Sequence, residues 1–416
     1  MDGTAVFEDL ESNVRFYCRE WPVVFETARG SHVYDENGRD YLDFFAGAGT
    51  LNYGHNHPEL KVALLRYLER DAIVHGLDMY TTAKREFLEA FRGNIMAPRG
   101  LDYKLQFPGP AGTTAVEAAL KLARKCTGRN TVMYFTNAFH GMTLGALAVS
   151  RLSARHGIAD SAAIEMPYGH SRAAGAASLT DIRCWLDGNR ENLPGAMIVE
   201  TVQGEGGIYV ADADWVQGLA AICRTFGMLL IVDDIQMGCG RTGSFFSFEQ
   251  FGIQPDIVCL SKSLSGYGLP FALILLRPEL DVWQPGEHTG TFRGPAPAFV
   301  TGAEATKFWL DEKFEKDIVE KSGQIEFAVR ELAARREDAV AGVRGLGMVW
   351  GIAFREPLLA RKVCGRAFDR GLLVETTGAR HDVMKLMPPL TVAGAEIERG
   401  MELVDDAIRA AMAESS

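Results

Sequence analysis

The chain has no apolar run near the roughly 20 residues that a membrane-spanning helix needs; a helical membrane protein is excluded. Its seven cysteines include no C-x-x-C pair. An odd, scattered set fits neither a disulfide framework nor a cysteine zinc site and reads as reduced thiols. Basic charge is also short: 43 Lys and Arg face 54 Asp and Glu, for a net charge of −11. That balance argues against nucleic acid or an anionic membrane as the main partner. There is no internal repeat and no low-complexity tract, which excludes a solenoid and long disordered arms. The first residues lack a basic-then-apolar leader layout, so a cytoplasmic location is expected. No G-x-S-x-G elbow accompanies any serine, which removes the usual sign of an α/β-hydrolase.

What is present is an ordinary globular composition, 47% hydrophobic and 23% charged, over 416 residues. That length suffices for two domains and a large core. An amphipathic pattern over residues 6–18 predicts a helix, and β-rich runs around Glu36-Asn37-Gly38 predict a hairpin over 31–44. Further on, helical patterns (60–70, 84–91, 114–125) alternate with apolar runs at 131–136, 196–200, 228–232, 257–260 and 271–276. Such alternation predicts an α/β fold with a mostly parallel sheet covered on both faces. Helices over 298–310 and 314–336, strands near 348–354 and 372–375, and a last helix over 395–413 complete the pattern.

The chemistry concentrates where apolar runs stop. The run from 227 to 232 ends in Asp233 and Asp234; the run from 256 to 260 ends in Ser261-Lys262-Ser263, with Lys262 lying 29 positions beyond Asp233. Continuous apolar runs are the mark of strands buried on both faces. In open α/β sheets the crevice lies beyond the carboxyl ends of the strands. One carboxylate and one amine are therefore expected to share a crevice. An aldehyde cofactor with a pyridine ring uses that pair, the amine to form a Schiff base and the carboxylate to keep the ring nitrogen protonated.

Other stretches are weaker alone. Pro108-Gly109-Pro110-Ala111-Gly112-Thr113-Thr114 runs into a helix, with Thr114 and Glu117 spaced as a capping box. It reads as a phosphate cradle or as a plain capped helix. Phe139 and His140 follow a strand and are either cofactor contacts or a core ring and a turn. Glu200 to Gly207 places two carboxylates past another strand, or forms a solvated loop. Gly238-Cys239-Gly240-Arg241-Thr242-Gly243 matches the dinucleotide pattern, yet no helical pattern follows it, so a Rossmann site is not expected. His55-Asn56-His57 lacks a third ligand motif, and no metal site is expected.

Taken in order, these segments resemble the class III (ω-amino acid) aminotransferases of the fold-type I pyridoxal-phosphate enzymes. The resemblance rests on residues 231–243, 200–207 and Ser261-Lys262-Ser263. Within the class, residues 46–58, 75–79, 263–266 and 290–294 resemble the diaminobutyrate–2-oxoglutarate aminotransferases of ectoine biosynthesis. The resemblance implies a large pyridoxal-phosphate domain (58–310) and a smaller α+β domain from both chain ends (1–57 and 311–416). It implies pyridoxal 5′-phosphate as cofactor, Lys262 as the Schiff-base lysine and Asp233 on the pyridine nitrogen. Gly112 and Thr113 would hold the phosphate, Phe139 would stack on the ring, and His140, Glu200 and Gln236 would complete the cofactor site. Glu205 and Lys385 would meet substrate, with Glu205 as an acidic gate. Thr291 would reach the phosphate of a neighbouring subunit, which implies a homodimer with shared sites.

Five features depart from the common class pattern. Asp234 replaces a glutamate and Lys385 replaces an arginine, both as in the ectoine-pathway group. Ala111 replaces a hydroxyl residue, Pro295-Ala296-Pro297 replaces an Asn-containing turn, and Met237 replaces a small residue. Three readings stay open: transamination of a short diamino acid such as 2,4-diaminobutyrate; elimination, replacement or C–C bond formation at the β or γ carbon of an amino acid or S-adenosylmethionine-type substrate; and a binding protein on an inactive scaffold.

Overall fold

Seven strands form the central sheet of the computed structural model, which describes residues 3–158 and 162–414. Their spatial order is Lys104–Gln106, Leu273–Leu276, Ile257–Leu260, Leu229–Asp233, Ala196–Val199, Val132–Phe135 and Ala163–Met166. Leu273–Leu276 runs against both its neighbours; the other pairings are parallel. Successive side chains of a strand point to opposite faces. Accordingly Ile231 packs with helix Gly112–Thr127 on one face, while Leu230 and Val232 join Trp215 of helix Ala213–Phe226 on the other. Two-sided coverage is what demands the unbroken apolar runs.

Five of the seven strands are those expected. The other two, Lys104–Gln106 and Ala163–Met166, are the sheet edges. Each exposes at least one polar side chain, so neither presents a continuous apolar run.

The chain ends meet in two small sheets. Phe25–Arg29, His32–Asp35 and Asp40–Asp43 are antiparallel, and Leu372–Leu373 adds in parallel with Leu372 opposite Leu42. Glu375–Thr377 instead pairs with Val383–Leu386 in a sheet that also holds Val340–Leu346 and Val349–Phe354. The expected strand over 372–375 is thus two strands in different sheets, separated by Val374 alone. The expected helix over 6–18 is likewise two, Ala5–Leu10 and Tyr17–Glu20. Glu11 is extended, and Ser12 and Asn13, weak helix formers, lie in the break. Among the described residues no helix is long and apolar enough to cross a membrane, and no cluster of His, Cys, Asp and Glu could hold a metal.

Candidate active site

Four strand ends of the central sheet deliver the site. Asp233 closes its strand, Glu200 directly follows Val199, Lys262 lies two residues past Leu260, and Phe139 and His140 follow the strand that ends at Phe135. A cavity there is lined by Gly112, Thr113, Phe139, His140, Glu200, Glu205, Asp233, Gln236 and Lys262, with Gly141, Ile235 and Met237. Of the residues selected from sequence, only Lys385 and Thr291 lie outside this lining.

Helix Gly112–Thr127 opens onto the cavity. Ala111 is extended before it, and a Cβ at Gly112 would come within 2.9 Å of Ile235 Cγ2, so the close approach requires glycine. The first amides and the dipole of a helix favour an anion at this place. The capping box expected from Thr114 and Glu117 is not formed. Glu117 Oε1 accepts instead from Thr143 Oγ1 (2.6 Å), Gly145 N (2.8 Å) and Ala146 N (3.1 Å), so it caps the next short helix, Leu144–Ala148. Thr114 Oγ1 donates to Ala111 O at 2.5 Å. Thr113 and Thr143 share a hydroxyl–hydroxyl bond of 2.7 Å, tying the cradle to the loop that bears His140.

Opposite stands a buried acid–imidazole pair. Asp233 Oδ2 lies 2.7 Å from His140 Nδ1, and Asp233 Oδ1 accepts from Ile235 N at 3.1 Å. Burial opposes charge on His140, but the bond to Asp233 and the charges of Asp233 and Glu200 outweigh it and raise the imidazole pKa. Glu200 accepts from Phe139 N at 2.9 Å and Gly204 N at 3.2 Å. Burial, aided by the Asp233 charge, pushes its carboxyl up to about 7. Asp234 turns away from the cavity and accepts from Ser247 N at 3.0 Å.

Lys262 holds a left-handed conformation (φ 49°), a conformation costly for a residue with a side chain. Its Nζ donates to Ala48 O at 2.9 Å, and Gln236 Nε2 donates to the same oxygen at 3.0 Å. Ala46, Gly47 and Ala48 all have positive φ, and this left-handed turn aims the carbonyl inward. Ser263 anchors it, donating to Gly49 O at 2.7 Å and accepting from Asn52 N at 3.1 Å. Burial, partly offset by the Glu205 charge, brings the Lys262 amine down to about 8.

Behind the cavity Lys385 is fully buried, its Nζ 2.6 Å from Glu205 Oε1 and 2.8 Å from Glu375 Oε1. Tyr17 donates to Glu375 Oε2 at 3.3 Å. Burial works against the Glu205 charge, but Lys385 and Lys262 outweigh it and hold the carboxyl well below its usual range. Thr291 is exposed, and its carbonyl meets His75 Nε2 at 2.9 Å. Ala48, Glu375 and Tyr17 escaped the sequence reading. Only the Glu375–Lys385 pair had a possible signal, two opposite charges in neighbouring strands, and using it requires knowing the register.

The family model "Aminotransferase class-III" matches residues 17–408. The chain belongs to the class-III aminotransferases. It is 56% identical over 411 residues to a diaminobutyrate–2-oxoglutarate transaminase of Nocardia farcinica, covering 97% of this chain and 94% of that one. A transaminase of the same name from Streptomyces anulatus is 54% identical, with 97% of each chain covered. Among solved structures, the ornithine aminotransferase of Toxoplasma gondii, crystallised with partial occupancy of PLP at its active site, superimposes with a TM-score of 0.82 at 27% identity. That match covers 94% of this chain and 91% of the other. The fold is that of the fold-type I aminotransferases.

In this class-III aminotransferase two of the unusual features have local explanations. Pro295 is the N-cap of helix Ala296–Thr306 and Pro297 lies in its first turn, where proline lacks only an amide the helix does not use. Met237 fills an apolar cluster with Val202, Ile208, Val349 and Met387.

Proposed function

We propose that this chain is a pyridoxal-phosphate-dependent aminotransferase that moves an amino group between a short diamino acid, 2,4-diaminobutyrate, and 2-oxoglutarate. The observation that carries the reading is the convergence of the Lys262 amine, the Asp233–His140 pair and a helix N-terminus on one cavity. The names of relatives more than 50% identical across nearly the whole chain support the substrate pair.

The residues present fit the cofactor. Gly112 leaves room at the helix start that a Cβ would fill, a fully buried imidazole orients the Asp233 carboxylate, and Gln236 Oε1 is buried without a partner. Gly112 and Thr113 would hold the phosphate, Phe139 a ring face, Gln236 the ring hydroxyl, Asp233 the pyridine nitrogen and Lys262 the aldehyde carbon. Bound there, the cofactor supplies an electron sink that lets a C–H bond beside the substrate nitrogen ionise.

The chain supplies the rest. Asp233, fixed by His140, keeps a proton on the facing nitrogen by its charge. Lys262, its pKa brought down to about 8 by burial, has a far larger neutral fraction near physiological pH than an ordinary lysine. Once free, that amine would take the proton from the substrate carbon and return it on the other side of the substrate nitrogen, two atoms away and within reach of its own flexible stem. Glu205 would meet the far end of the substrate, and Lys385 behind it would do so once Glu205 moves aside.

A homodimer completes the reading, with Thr291 of one protomer reaching the phosphate site of the other. Supporting it, Ile73, Val74, Leu77, Met79, Tyr80 and Phe292 are exposed apolar side chains in the segments around Thr291 and its partner His75. Monomeric soluble proteins seldom leave such groups together. We also place the domain boundaries near residues 57 and 310, and the protein in the cytoplasm.

The test is a two-step titration. Diaminobutyrate added to the yellow holoenzyme should bleach the visible band, and 2-oxoglutarate should restore it with one glutamate formed per site. Loss of diaminobutyrate without glutamate would overturn the reading.

A further inference from the structure

Lys385 sits between two carboxylates, and only one of them lines the cavity. Glu205 arrives on the loop joining the antiparallel strands Val202–Gln203 and Tyr209–Val210, and Thr377 Oγ1 donates to the neighbouring Gly204 O at 2.8 Å. Glu375 is built in differently: it is the cross-strand neighbour of Lys385 in the antiparallel pair Glu375–Thr377 and Val383–Leu386. Residues directly opposite on neighbouring strands point to the same face. On its other side Lys385 faces Gly351, which has no side chain to intervene. Glu375 is thus tied to Lys385 by the sheet, and Glu205 by a hairpin loop that is hydrogen-bonded to the end of the Glu375 strand.

The charge count of this cluster is unusual. Two carboxylates contact one ammonium, that of Lys385; the Lys262 amine, which touches neither, only partly offsets the second negative charge. Glu205 has the shorter contact and is held ionised. Burial and the Glu205 charge push the Glu375 carboxyl up, and Lys385 only partly offsets them. The second carboxylate is therefore incompletely neutralised, close to where the far end of a substrate must lie.

We propose that Glu375 sets the substrate preference of this site: acting through Lys385, it favours a far end that carries an ammonium beside a carboxylate over one that carries a carboxylate alone. The inference deepens the aminotransferase reading above and rests on it. A lone carboxylate that moves Glu205 aside to reach Lys385 meets a cluster already short of positive charge in direct contact. An amino-acid head group brings a cation with it, which the loosened Glu205 and the surplus charge receive, while its carboxylate takes Lys385. Glu375 does not touch the reacting atoms; it is a positioning residue.

The experiment compares the holoenzyme with Glu375→Gln and Glu375→Asp on diaminobutyrate, ornithine and 4-aminobutyrate, the last lacking the second ammonium. In Glu375→Gln the kcat/KM for 4-aminobutyrate should rise and that for the diamino acids should fall. The ratio should shift by about tenfold or more, the scale of one partly screened charge. The KM for 2-oxoglutarate, a dianion, should fall. Glu375→Asp should retain the wild-type ratio. A merely structural role would lower all activities together, and that result, or an unchanged ratio, overturns the inference. Binding of the same compounds, followed by tryptophan fluorescence, gives the ratio even where no amine is transferred. Failure of the aminotransferase reading would thus appear in turnover and failure of this inference in the ratio.

Discussion

His140 Nδ1 lies 2.7 Å from Asp233 Oδ2, and neither side chain is more than 5% exposed. The bond fixes the direction of the carboxylate proposed above to hold the ring proton. Because Asp233 also accepts from Ile235 N, both of its oxygens are held before any ligand arrives. Asp233→Asn should keep the fold but remove the charge that holds the ring proton. We expect kcat to fall by ~10³-fold or more, the scale of a lost preorganised electrostatic contact. Single-turnover kinetics with diaminobutyrate, with circular dichroism as the folding control, checks this.

Lys262→Ala should fold normally, since alanine meets the same positive-φ demand, and should lose transamination by ~10⁴-fold or more, as other nucleophile and base removals do. Its visible absorption band should shift to that of unlinked cofactor. Borohydride reduction followed by mass spectrometry should label the wild type at residue 262 and leave the variant unlabelled.

The Lys262 pKa of about 8 has two pH consequences for the cofactor-free protein. Only the neutral amine can capture an aldehyde, so the capture rate should rise with pH and level off just above pH 8. A lysine with an ordinary value of 10.5 would still be climbing at pH 10. Stability should move in the same direction. Between about pH 8 and 10.5 the unfolded chain binds a proton at this site that the folded chain has released, so the contribution of this group to folding stability rises with pH across that window. Stopped-flow absorbance and urea melts measure the two.

Gly112→Ala would drive a methyl group to within 2.9 Å of Ile235 Cγ2. The side chain beneath can shift only partly, so we expect a stability loss of about 1–3 kcal/mol, typical of overpacking. Displacement of the helix start should weaken cofactor binding by about tenfold, since each 1.4 kcal/mol of lost contact is a factor of ten. Equilibrium dialysis reports the affinity. An unchanged value would place the phosphate elsewhere.

Thr291→Ala should weaken cofactor retention without altering the cavity of its own protomer, whose lining does not include it. Mixing this variant with Lys262→Ala should form heterodimers with one site that has both Lys262 and a Thr291 neighbour. Recovery of activity on mixing supports a shared site, and its absence from proven heterodimers counts against one.

Much of the fold was legible because the inner strands are buried on both faces and must be apolar throughout. Ile257–Leu260 and Ala196–Val199 could be read with no partner known. The edge strands could not, because one open side relaxes that demand. The cavity residues were legible for a related reason: polar groups that interrupt an apolar run mark the strand ends where crevices form. The turn at Ala46–Ala48 was not. Its left-handed backbone is imposed by tertiary anchoring through Ser263, and two alanines carry no preference for it. Nor was Glu117 placed correctly, because local spacing suggested a cap for its own helix while three better donors waited in the next one.

One peptide step, Val374, separates Leu373 in the amino-terminal sheet from Glu375 beside Lys385. A single residue spans only about 3.8 Å and offers no slack. The strands over residues 25–43, far from Glu375 in sequence, are therefore mechanically coupled to the Glu375–Lys385 pair. Loosening that sheet should therefore disturb Glu375 and, with it, the amine preference proposed above.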